Sequence, residues 1–299
     1  MNIGIYRYAP TVDGLVGEIR SAADQGFTSF WMPQIFGLDA LTAFAAAARE
    51  VPEIHLGTAV VPVYRAHPMA LAQQALTVSQ VSGGRVILGI GLSHPVVVES
   101  MWGLSYERPL RQMREYLEAL LPMLAGEASS ISGEAVTSHG SVDVAAPAPQ
   151  VLIAALGPKM LELAGQVADG TVTWMVGPKT LAAHIVPSIN RAAEAADRPP
   201  PQIAAGLSVC VTDNPERARE RIAEFLVMYG GLPSYRAMLD REGASGPEDI
   251  AVIGSGAEVA DRLVGVSESG VTTITATEIG DPDELAATRE VLVSLLEVV

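Results

Sequence analysis

The chain has 299 residues, of which 49% are hydrophobic and 18% charged, a balance typical of a well-packed globular protein. Its formal charge of −15 argues against binding to nucleic acid or to an anionic membrane surface, because both need clustered Lys and Arg. The single cysteine, Cys210, excludes an internal disulfide, and neither a signal peptide nor an apolar run of membrane length is visible, so we expect a cytoplasmic protein.

Short apolar runs alternate with stretches of helical spacing along the whole chain. The predicted strands are 2–7, 28–33, 55–61, 85–91, 151–156, 171–175, 203–211 and 272–277. The predicted helices are 12–23, 40–49, one starting at Pro68, 108–124, one starting at Pro158, 181–195, 215–229, 234–241, 257–267 and 283–298. Each strand is therefore followed by at least one helix.

Eight such units favour a closed (β/α)8 TIM barrel, in one domain over 1–299, rather than an open doubly wound sheet. The run Gly89-Ile90-Gly91 lacks the third glycine of a dinucleotide fingerprint. It also fails as a nucleophile elbow, because the required glycine does not follow Ser93. The segment 126–149 is rich in Ser, Gly, Thr and Pro, so we predict an insertion after the fourth unit, with a small hairpin at 132–144.

Among the loops that follow the strands, where a barrel places its active site, His94 is the best candidate for catalysis. An imidazole exchanges a proton near neutral pH, although a lone histidine in a loop is more often a packing or hydrogen-bonding residue. His67 directly precedes the third helix and is expected to cap it. His55, His139 and His184 show no ligand spacing, so no metal site is expected.

Aromatic residues are few, but several lie at or near the predicted strand ends. They are Tyr6, Tyr64, Trp102, Tyr106 and Trp174. These side chains could form the wall of a site for a flat ring system, and ordinary packing is the alternative.

The fifth unit contains a turn that suits an anion. Gly157 and Pro158 end the strand and start a helix, so the N–H groups of Gly157, Lys159 and Met160 are expected to be free, with the Lys159 ammonium nearby. A phosphate would fit such a helix start. The alternative is an ordinary strand-to-helix turn without a ligand.

Four stretches, in this order, resemble the bacterial luciferase-like superfamily of barrel oxidoreductases, and within it the branch that uses the deazaflavin coenzyme F420. They are GTAVVPVYRAHPMALAQQALT, GGRVILGIGLSH, RPLRQMREYLEALLPMLAGE and VLIAALGPKMLELAGQVADGTVTW. The resemblance covers nearly the full length and is weakest beyond about residue 200. It implies a homodimer that transfers a hydride between C5 of the deazaflavin and a small organic substrate, and it agrees with an insertion after the fourth unit.

The resemblance also implies which residues hold the coenzyme. A non-proline cis peptide, Ala59–Val60, would support the back of the ring. The remaining contacts would come from Leu92 and Ser93 at the ring and from Leu156, Gly157, Lys159 and Met160 at the phosphate. Trp174, one of the aromatic residues near the strand ends, is a further candidate contact to the ring.

Two departures from the family limit the substrate. Gln34-Ile35 stands where the F420-dependent sugar-phosphate dehydrogenases carry an Asp-His pair that contacts coenzyme and substrate, so Gln34 is the expected coenzyme contact here. His94 stands where those enzymes have an acidic proton-transfer residue, so sugar-phosphate dehydrogenation is disfavoured. An FMN-dependent monooxygenase of the same superfamily and a non-catalytic flavin- or deazaflavin-binding homologue remain as alternatives.

Overall fold

The computed structural model describes residues 1–296, and eight parallel strands of this range form a closed sheet. They are β1 (Ile3–Tyr6), β2 (Ser29–Met32), β3 (His55–Thr58), β4 (Val86–Gly91), β5 (Gln150–Ala154), β6 (Gly170–Trp174), β7 (Gln202–Val211) and β8 (Thr273–Glu278). The strands pair in chain order, and β8 pairs with β1 with Gly4 opposite Thr275, so the sheet closes. The predicted (β/α)8 barrel is confirmed.

Helices surround the barrel. They are α1 (Val12–Asp24), α2 (Ala40–Glu50), α3 (Pro68–Ser82), α4 (Pro109–Leu124), α5 (Pro158–Val167), α6 (Val186–Ala195), α7 (Pro215–Phe225), α8 (Pro233–Glu242), α9 (Gly256–Glu268) and α10 (Pro282–Leu296). Nδ1 of His67 accepts the Met69 N–H at the start of α3, which confirms its predicted capping role. The predicted end of the last helix, Val298, lies outside the described residues.

The third strand is shorter than predicted. It ends at Thr58, and pairing with β4 resumes only at Val61–Pro62, opposite Ile90 and Gly91. The run 55–61 looks continuous in sequence because all its residues from 56 onward are apolar, glycine or threonine. Apolar character therefore did not indicate where the backbone leaves the sheet.

Three further boundaries were wrong or missed. A short strand, Val252–Gly254, pairs with the end of β7, and its three residues are too few to show a strand pattern. The helix predicted at 181–195 begins at Pro178 and passes through a π turn, Leu181–Ile185, before α6. The helix predicted at 215–229 is interrupted: α7 stops at Phe225, because Leu226 leaves the helical conformation with φ −103° and ψ 10°, and a separate short helix spans Val227–Gly230.

A two-stranded antiparallel hairpin lies between α4 and β5, inside the segment 126–149. Its strands are Ser129–Ser132 and Thr137–Gly140, so it starts three residues before the predicted hairpin. The Glu115 carboxylate of α4 accepts the N–H groups of Ala135 and Val136, which ties the turn to the barrel. That the segment is an insertion relative to other barrels stays a prediction.

Alternate residues of each strand face two different cores. The outer core lies between strands and helices and includes Ile274 and Ala276 of β8. The barrel interior is filled by Trp31, Ile87, Leu152, Val172 and Ala204. This alternation decides which strand residues point into the barrel. Within residues 1–296, no helix is both long enough and apolar enough to span a bilayer.

Candidate active site

Two of the predicted aromatic residues meet at the C-terminal mouth of the barrel. Tyr6, the last residue of β1, stacks on Trp174, the last residue of β6, with ring centroids 5.2 Å apart and planes inclined by 18°. The Tyr6 hydroxyl donates a long hydrogen bond of 3.4 Å to the Ala59 carbonyl. The stacked pair therefore spans the mouth next to the predicted ring support.

The predicted cis peptide is present: the bond between Ala59 and Val60 is cis. Two glycines of β4 make room for it. A Cβ at Gly89 would lie 1.9 Å from the Thr58 carbonyl oxygen, and a Cβ at Gly91 would lie 2.6 Å from a methyl group of Val60. Ala59 and Val60 are partly buried and pack against the barrel interior, as a wall at the mouth requires.

His94 belongs to an aromatic cluster that was not predicted. Its ring meets Tyr229 edge-on at 6.0 Å and Tyr235 at 5.9 Å, and the two tyrosines meet each other at 5.2 Å. Both tyrosines come from the long segment after β7 and rest on a small core with Trp174. Both tyrosines lie far from His94 in the sequence, so no local pattern predicted this contact.

The ionisable groups of the mouth are held uncharged by their surroundings. Burial lowers the pKa of His94 below its ordinary value of 6.5. Burial raises the pKa of Tyr6, and the neighbouring Tyr229 and Tyr235 raise it further. Burial also raises the pKa of Tyr229 and Tyr235. The neutral forms of all four side chains therefore prevail at neutral pH.

The other predicted aromatic residues form a second group beside the mouth. Tyr64 and Tyr106 stack at 5.6 Å, and the Tyr106 hydroxyl lies 3.4 Å from the Ser93 carbonyl. The Arg65 guanidinium lies 5.8 Å from the centre of the Trp102 ring. Ser93 itself has a positive φ of 59°.

Leu92, the residue before Ser93, packs against the outer core. The predicted coenzyme contacts Leu92 and Ser93 thus lie directly after β4, between its end and the aromatic cluster of His94.

The start of α5 is open, as an anion site requires. Gly157 is its N-cap, no side chain in residues 1–296 caps it, and nothing lies within 4 Å of where a Cβ would stand. The described residues give the N–H groups of Gly157 and Lys159 no acceptor, and both residues are exposed. The prediction for Met160 was wrong in one detail, because its N–H is bonded to the Gly157 carbonyl at 3.1 Å in a tight first turn.

His184 fixes the peptide that enters this turn. Its Nε2 donates to the Leu156 carbonyl at 2.8 Å. In a trans peptide the carbonyl and the following N–H point in opposite directions, so the Gly157 N–H points away from His184. Leu156 and Met160 pack partly buried against the outer core below the turn.

A second turn of the same sequence follows β6. The two lysines of the chain, Lys159 and Lys179, each end a Gly-Pro-Lys tripeptide. At the second turn the Glu242 carboxylate accepts the N–H groups of Lys179 and Thr180, at 3.2 and 2.7 Å. The repeated tripeptide is visible in the sequence, but the residue that fills the second turn, Glu242, lies 63 residues beyond Lys179 and gave no signal.

Gln34 is buried, and its side-chain oxygen accepts the Ala40 N–H at 3.2 Å, six residues later. The structure thus shows a role at the start of α2, and a contact with the coenzyme stays a prediction. In residues 1–296 no group of three or more His, Cys, Asp or Glu side chains has the geometry of a metal site.

Three buried hydroxyl groups were also missed. Ser208 of β7 and Thr275 and Thr277 of β8 have hydroxyl oxygens with no hydrogen-bond partner in the described chain. Their neighbours Ile274 and Ala276 face the outer core, so these residues face the barrel interior. The alternation of Thr with apolar residues in 272–277 is the signal that could have found two of them.

Two grooves of the described residues lie outside the mouth. One of about 420 Å³ is lined by residues 63–68, by Gln112 and Tyr116 of α4 and by the hairpin turn. Another of about 490 Å³ lies between α2 and α3. Neither groove contains His94, Trp174 or Gly157, so the mouth is identified by its side chains and not by its volume.

The profile of the luciferase-like monooxygenase family matches residues 3–273. The chain belongs to this family. A protein of Mycobacterium tuberculosis whose name assigns it provisionally to the coenzyme F420-dependent oxidoreductases is 29% identical over 71% of this chain and 67% of its own length. The 5,10-methylenetetrahydromethanopterin reductase of Methanolobus tindarius is 29% identical over 89% of this chain and 82% of its own length.

Solved structures of two F420-dependent enzymes and of one monooxygenase in complex with FMN share the fold. The coenzyme F420-dependent tetrahydromethanopterin reductase of Methanopyrus kandleri superposes with a TM-score of 0.81 at 22% identity, over 98% of this chain and 97% of the other. An F420-dependent secondary alcohol dehydrogenase in complex with an F420-acetone adduct gives 0.80 at 18% identity, over 98% of each chain. The oxygenating constituent of 3,6-diketocamphane monooxygenase from Pseudomonas putida, in complex with FMN, gives 0.76 at 19% identity, over 98% of this chain and 96% of the other.

Proposed function

We propose that this protein is an F420-dependent oxidoreductase that acts on a small organic substrate at the barrel mouth. The observation that carries the proposal is the open Gly-Pro-Lys turn at Gly157, beside an aromatic mouth, in a chain whose net charge of −15 offers few places for an anion. When bound, the deazaflavin supplies or accepts a hydride at C5 of its central ring. The protein then has to hold the ring, hold its phosphate and manage a proton.

The residues present fit these tasks. Ala59 and Val60 give an apolar back wall, and Leu92 and Ser93 follow the neighbouring strand β4. Trp174 ends β6 and is linked to this wall through Tyr6, which stacks on Trp174 and donates to the Ala59 carbonyl. The free N–H groups of Gly157 and Lys159 and the Lys159 ammonium would receive the phosphate, with Leu156 and Met160 packed below. Gln34, whose side-chain oxygen accepts the Ala40 N–H at the start of α2, would meet the ring through its amide nitrogen.

His94 is the proposed proton donor to the substrate. Its half-buried ring at the mouth and its lowered pKa make the neutral form prevail near pH 7. Donation needs the protonated form, so the rate of acceptor reduction should rise as the pH falls below 6.5 towards the lowered pKa. In His94→Gln this rise should disappear and turnover should fall about 100-fold, with coenzyme affinity unchanged. Unchanged turnover in that variant would remove the role of His94.

The choice of F420 over FMN rests on the relatives at 29% identity, whose names include F420-dependent oxidoreductase and 5,10-methylenetetrahydromethanopterin reductase. The FMN-containing neighbour shares the fold at 19% identity. An FMN-dependent monooxygenase is therefore the second candidate. A homologue that binds coenzyme without catalysis is the third, because the Asp-His pair of the sugar-phosphate dehydrogenases is replaced by Gln34 and Ile35.

Titration of the purified protein with F420 and with FMN, followed by coenzyme fluorescence, tests the proposal. We expect F420 to bind at least about tenfold more tightly than FMN, a difference of about 1.4 kcal/mol. Tighter binding of FMN would overturn the choice of coenzyme. Binding of F420 without reduction of any compound in a broad acceptor screen would favour the carrier.

We also propose that the chain is a single-domain cytoplasmic enzyme, that the segment 126–149 is an insertion, and that the protein is a homodimer. The groove of about 490 Å³ between α2 and α3 offers an uncharged surface for a second copy, lined by Thr42, Ala45, Ala70, Gln73, Gln74, Thr77 and Val78. Light scattering after size-exclusion chromatography should give twice the mass of 31.3 kDa. A monomer at micromolar concentration would contradict the dimer.

A further inference from the structure

Ser208, Thr275 and Thr277 form a group of hydroxyls inside the barrel without partners, here called the hydroxyl cluster. Ser208 is 3% exposed and Thr275 is 1% exposed. Ser208 pairs in register with Thr277, so their side chains are neighbours on adjacent strands. Buried polar groups without hydrogen bonds are rare in folded proteins, and each one asks for a partner.

Thr275 of the hydroxyl cluster lies at the level of Trp174, and the other two hydroxyls lie nearer the open end of the barrel. Gly206 of β7 pairs with Trp174 on one side and with Thr275 on the other. A Cβ at Gly206 would lie 2.7 Å from the Trp174 ring and 3.2 Å from the Thr275 hydroxyl oxygen. Thr277 and Ser208 lie two residues further towards the mouth. The stacked rings of Tyr6 and Trp174 therefore border the hydroxyl cluster directly.

The charged groups at the end of β8 lie on the opposite face of the strand from the hydroxyl cluster and are already paired. Glu278, the residue after Thr277, has a side chain that is 2% exposed, pairs with Arg289 and lies 3.6 Å from Arg7. Arg7 also binds Glu18 at 3.0 Å. A carboxylate brought to the hydroxyls would be a buried charge, and Arg7 and Arg289 are already paired with carboxylates, so its desolvation would be costly. An uncharged carbonyl oxygen would instead accept hydrogen bonds that the cluster now lacks.

We propose that the hydroxyl cluster is the subsite for the carbonyl oxygen of an uncharged, largely apolar acceptor, and that the Tyr6–Trp174 stack covers it until the acceptor binds. This inference rests on the proposed function. The apolar body of the acceptor would lie against Tyr229, Tyr235 and His94, whose rings form the adjacent wall. In the reaction the acceptor gains the coenzyme hydride at carbon and one proton, and the coenzyme is oxidised by two electrons.

A comparison of interaction strengths favours separation of the Tyr6 and Trp174 rings when the acceptor binds. One aromatic pair contributes a factor of about 2 to 12 in equilibrium constant, from its 0.5–1.5 kcal/mol. Each new hydrogen bond contributes about the same factor. Two hydroxyls bonded to one carbonyl oxygen therefore outweigh the loss of one stack. The hydrogen bond that restrains Tyr6 is long, at 3.4 Å. The remaining restraint is packing, because Tyr6 lies against the barrel interior and Trp174 against the small core beside Tyr229.

The test compares Ser208→Ala and Thr275→Val with Thr173→Val as the matched control. Thr173 is also buried with an unpartnered hydroxyl, but it follows Val172 of the barrel interior and so points to the opposite face of β6. Coenzyme affinity, acceptor KM and the midpoint of unfolding are measured for each variant. The acceptors are cyclohex-2-en-1-one and its analogue with a carboxylate on the ring, both with reduced F420.

The wild type should reduce the uncharged enone with a kcat/KM at least about tenfold above that of the carboxylate. Ser208→Ala and Thr275→Val should raise the KM for the enone about fivefold and leave coenzyme affinity within about twofold. Neither should lower the unfolding midpoint, because the hydroxyls have no partner to lose in the free protein. Thr173→Val should change neither KM nor coenzyme affinity. Emission from Trp174 should change on acceptor binding, and this change should be absent in Trp174→Phe.

Four results would overturn the inference while leaving the proposed function intact: weaker coenzyme binding in place of a raised KM, no change in either, a preference for the carboxylate, or F420 binding without reduction of the enone. Weaker coenzyme binding would mean that the hydroxyls contact the coenzyme. No change in either quantity would mean that the hydroxyls bind buried water. Failure of the wild type to bind F420 is a different outcome, because it contradicts the proposed function itself.

Discussion

The two Gly-Pro-Lys turns of this barrel have the same sequence and nearly the same backbone, yet only one is open. Gly157 has φ −79° and ψ 152°, and Gly177 has φ −76° and ψ 164°. At Gly177 the carboxylate of Glu242 from α8 occupies the helix start, whereas nothing occupies it at Gly157. The filled turn shows that this backbone binds a carboxylate, so the open turn is available for an anion from outside the chain.

The largest expected effect separates the two lysines. Lys159→Ala should weaken F420 binding by about 10- to 100-fold, because a charge-assisted contact to phosphate is lost. Lys179→Ala is the matched control, because Glu242 already fills the turn at Lys179. The affinity of this variant for F420 should stay within about twofold of the wild type. Isothermal titration of both variants measures the difference. Equal losses in the two variants would mean that general positive charge, and not the open turn, attracts the coenzyme.

A second test empties the filled turn. Glu242→Ala leaves the N–H groups of Lys179 and Thr180 without their acceptor, so the free energy of unfolding should fall by about 2 kcal/mol in a denaturant titration. Added phosphate should restore part of this stability, because the emptied turn then resembles the one at Gly157. Glu162→Ala, an exposed residue on α5, is the control and should change stability by less than about 0.5 kcal/mol. An unchanged free energy of unfolding in Glu242→Ala would show that the Glu242 carboxylate does not stabilise this turn.

The smallest effect concerns the glycines. A Cβ at Gly177 would lie 2.3 Å from the Glu242 carboxyl carbon, so Gly177→Ala should displace Glu242 and cost about 1 kcal/mol of stability. Gly157→Ala meets nothing within 4 Å and has an extended φ that alanine adopts, so its stability should change by less than about 0.5 kcal/mol. Thermal unfolding of the two variants side by side gives the contrast. An equal loss of stability in Gly157→Ala and Gly177→Ala would indicate that the turn at Gly157 is not open in solution.

The sequence predicted the barrel because its periodicities are local, whereas much of the site depends on pairs of residues far apart in the chain. The eight units, the capping role of His67 and the candidate turn at Gly157 follow from neighbours within a few residues. The contact between His94 and Tyr235 does not, because it joins the loop after β4 to helix α8. The same holds for Glu242 at Lys179, 63 residues apart.

Other features could not be predicted from the periodicity of the sequence. The cis bond at Ala59 was expected from the family resemblance and not from the apolar run 55–61, which hides the interruption. Thr275 and Thr277 were assigned only to a strand, because threonine is common in strands for its branched side chain. That their hydroxyls lack partners becomes visible only when the neighbouring strand β7 is in register.

A crystal structure of the F420 complex tests the account most directly. We expect the coenzyme phosphate at the N–H groups of Gly157 and Lys159, the central ring against Ala59 and Val60, and C5 facing the side of the mouth that carries His94. The turn at Gly177 should still hold Glu242. A phosphate bound elsewhere, or a ring placed away from Ala59 and Val60, would contradict the assignment of this mouth as a deazaflavin site.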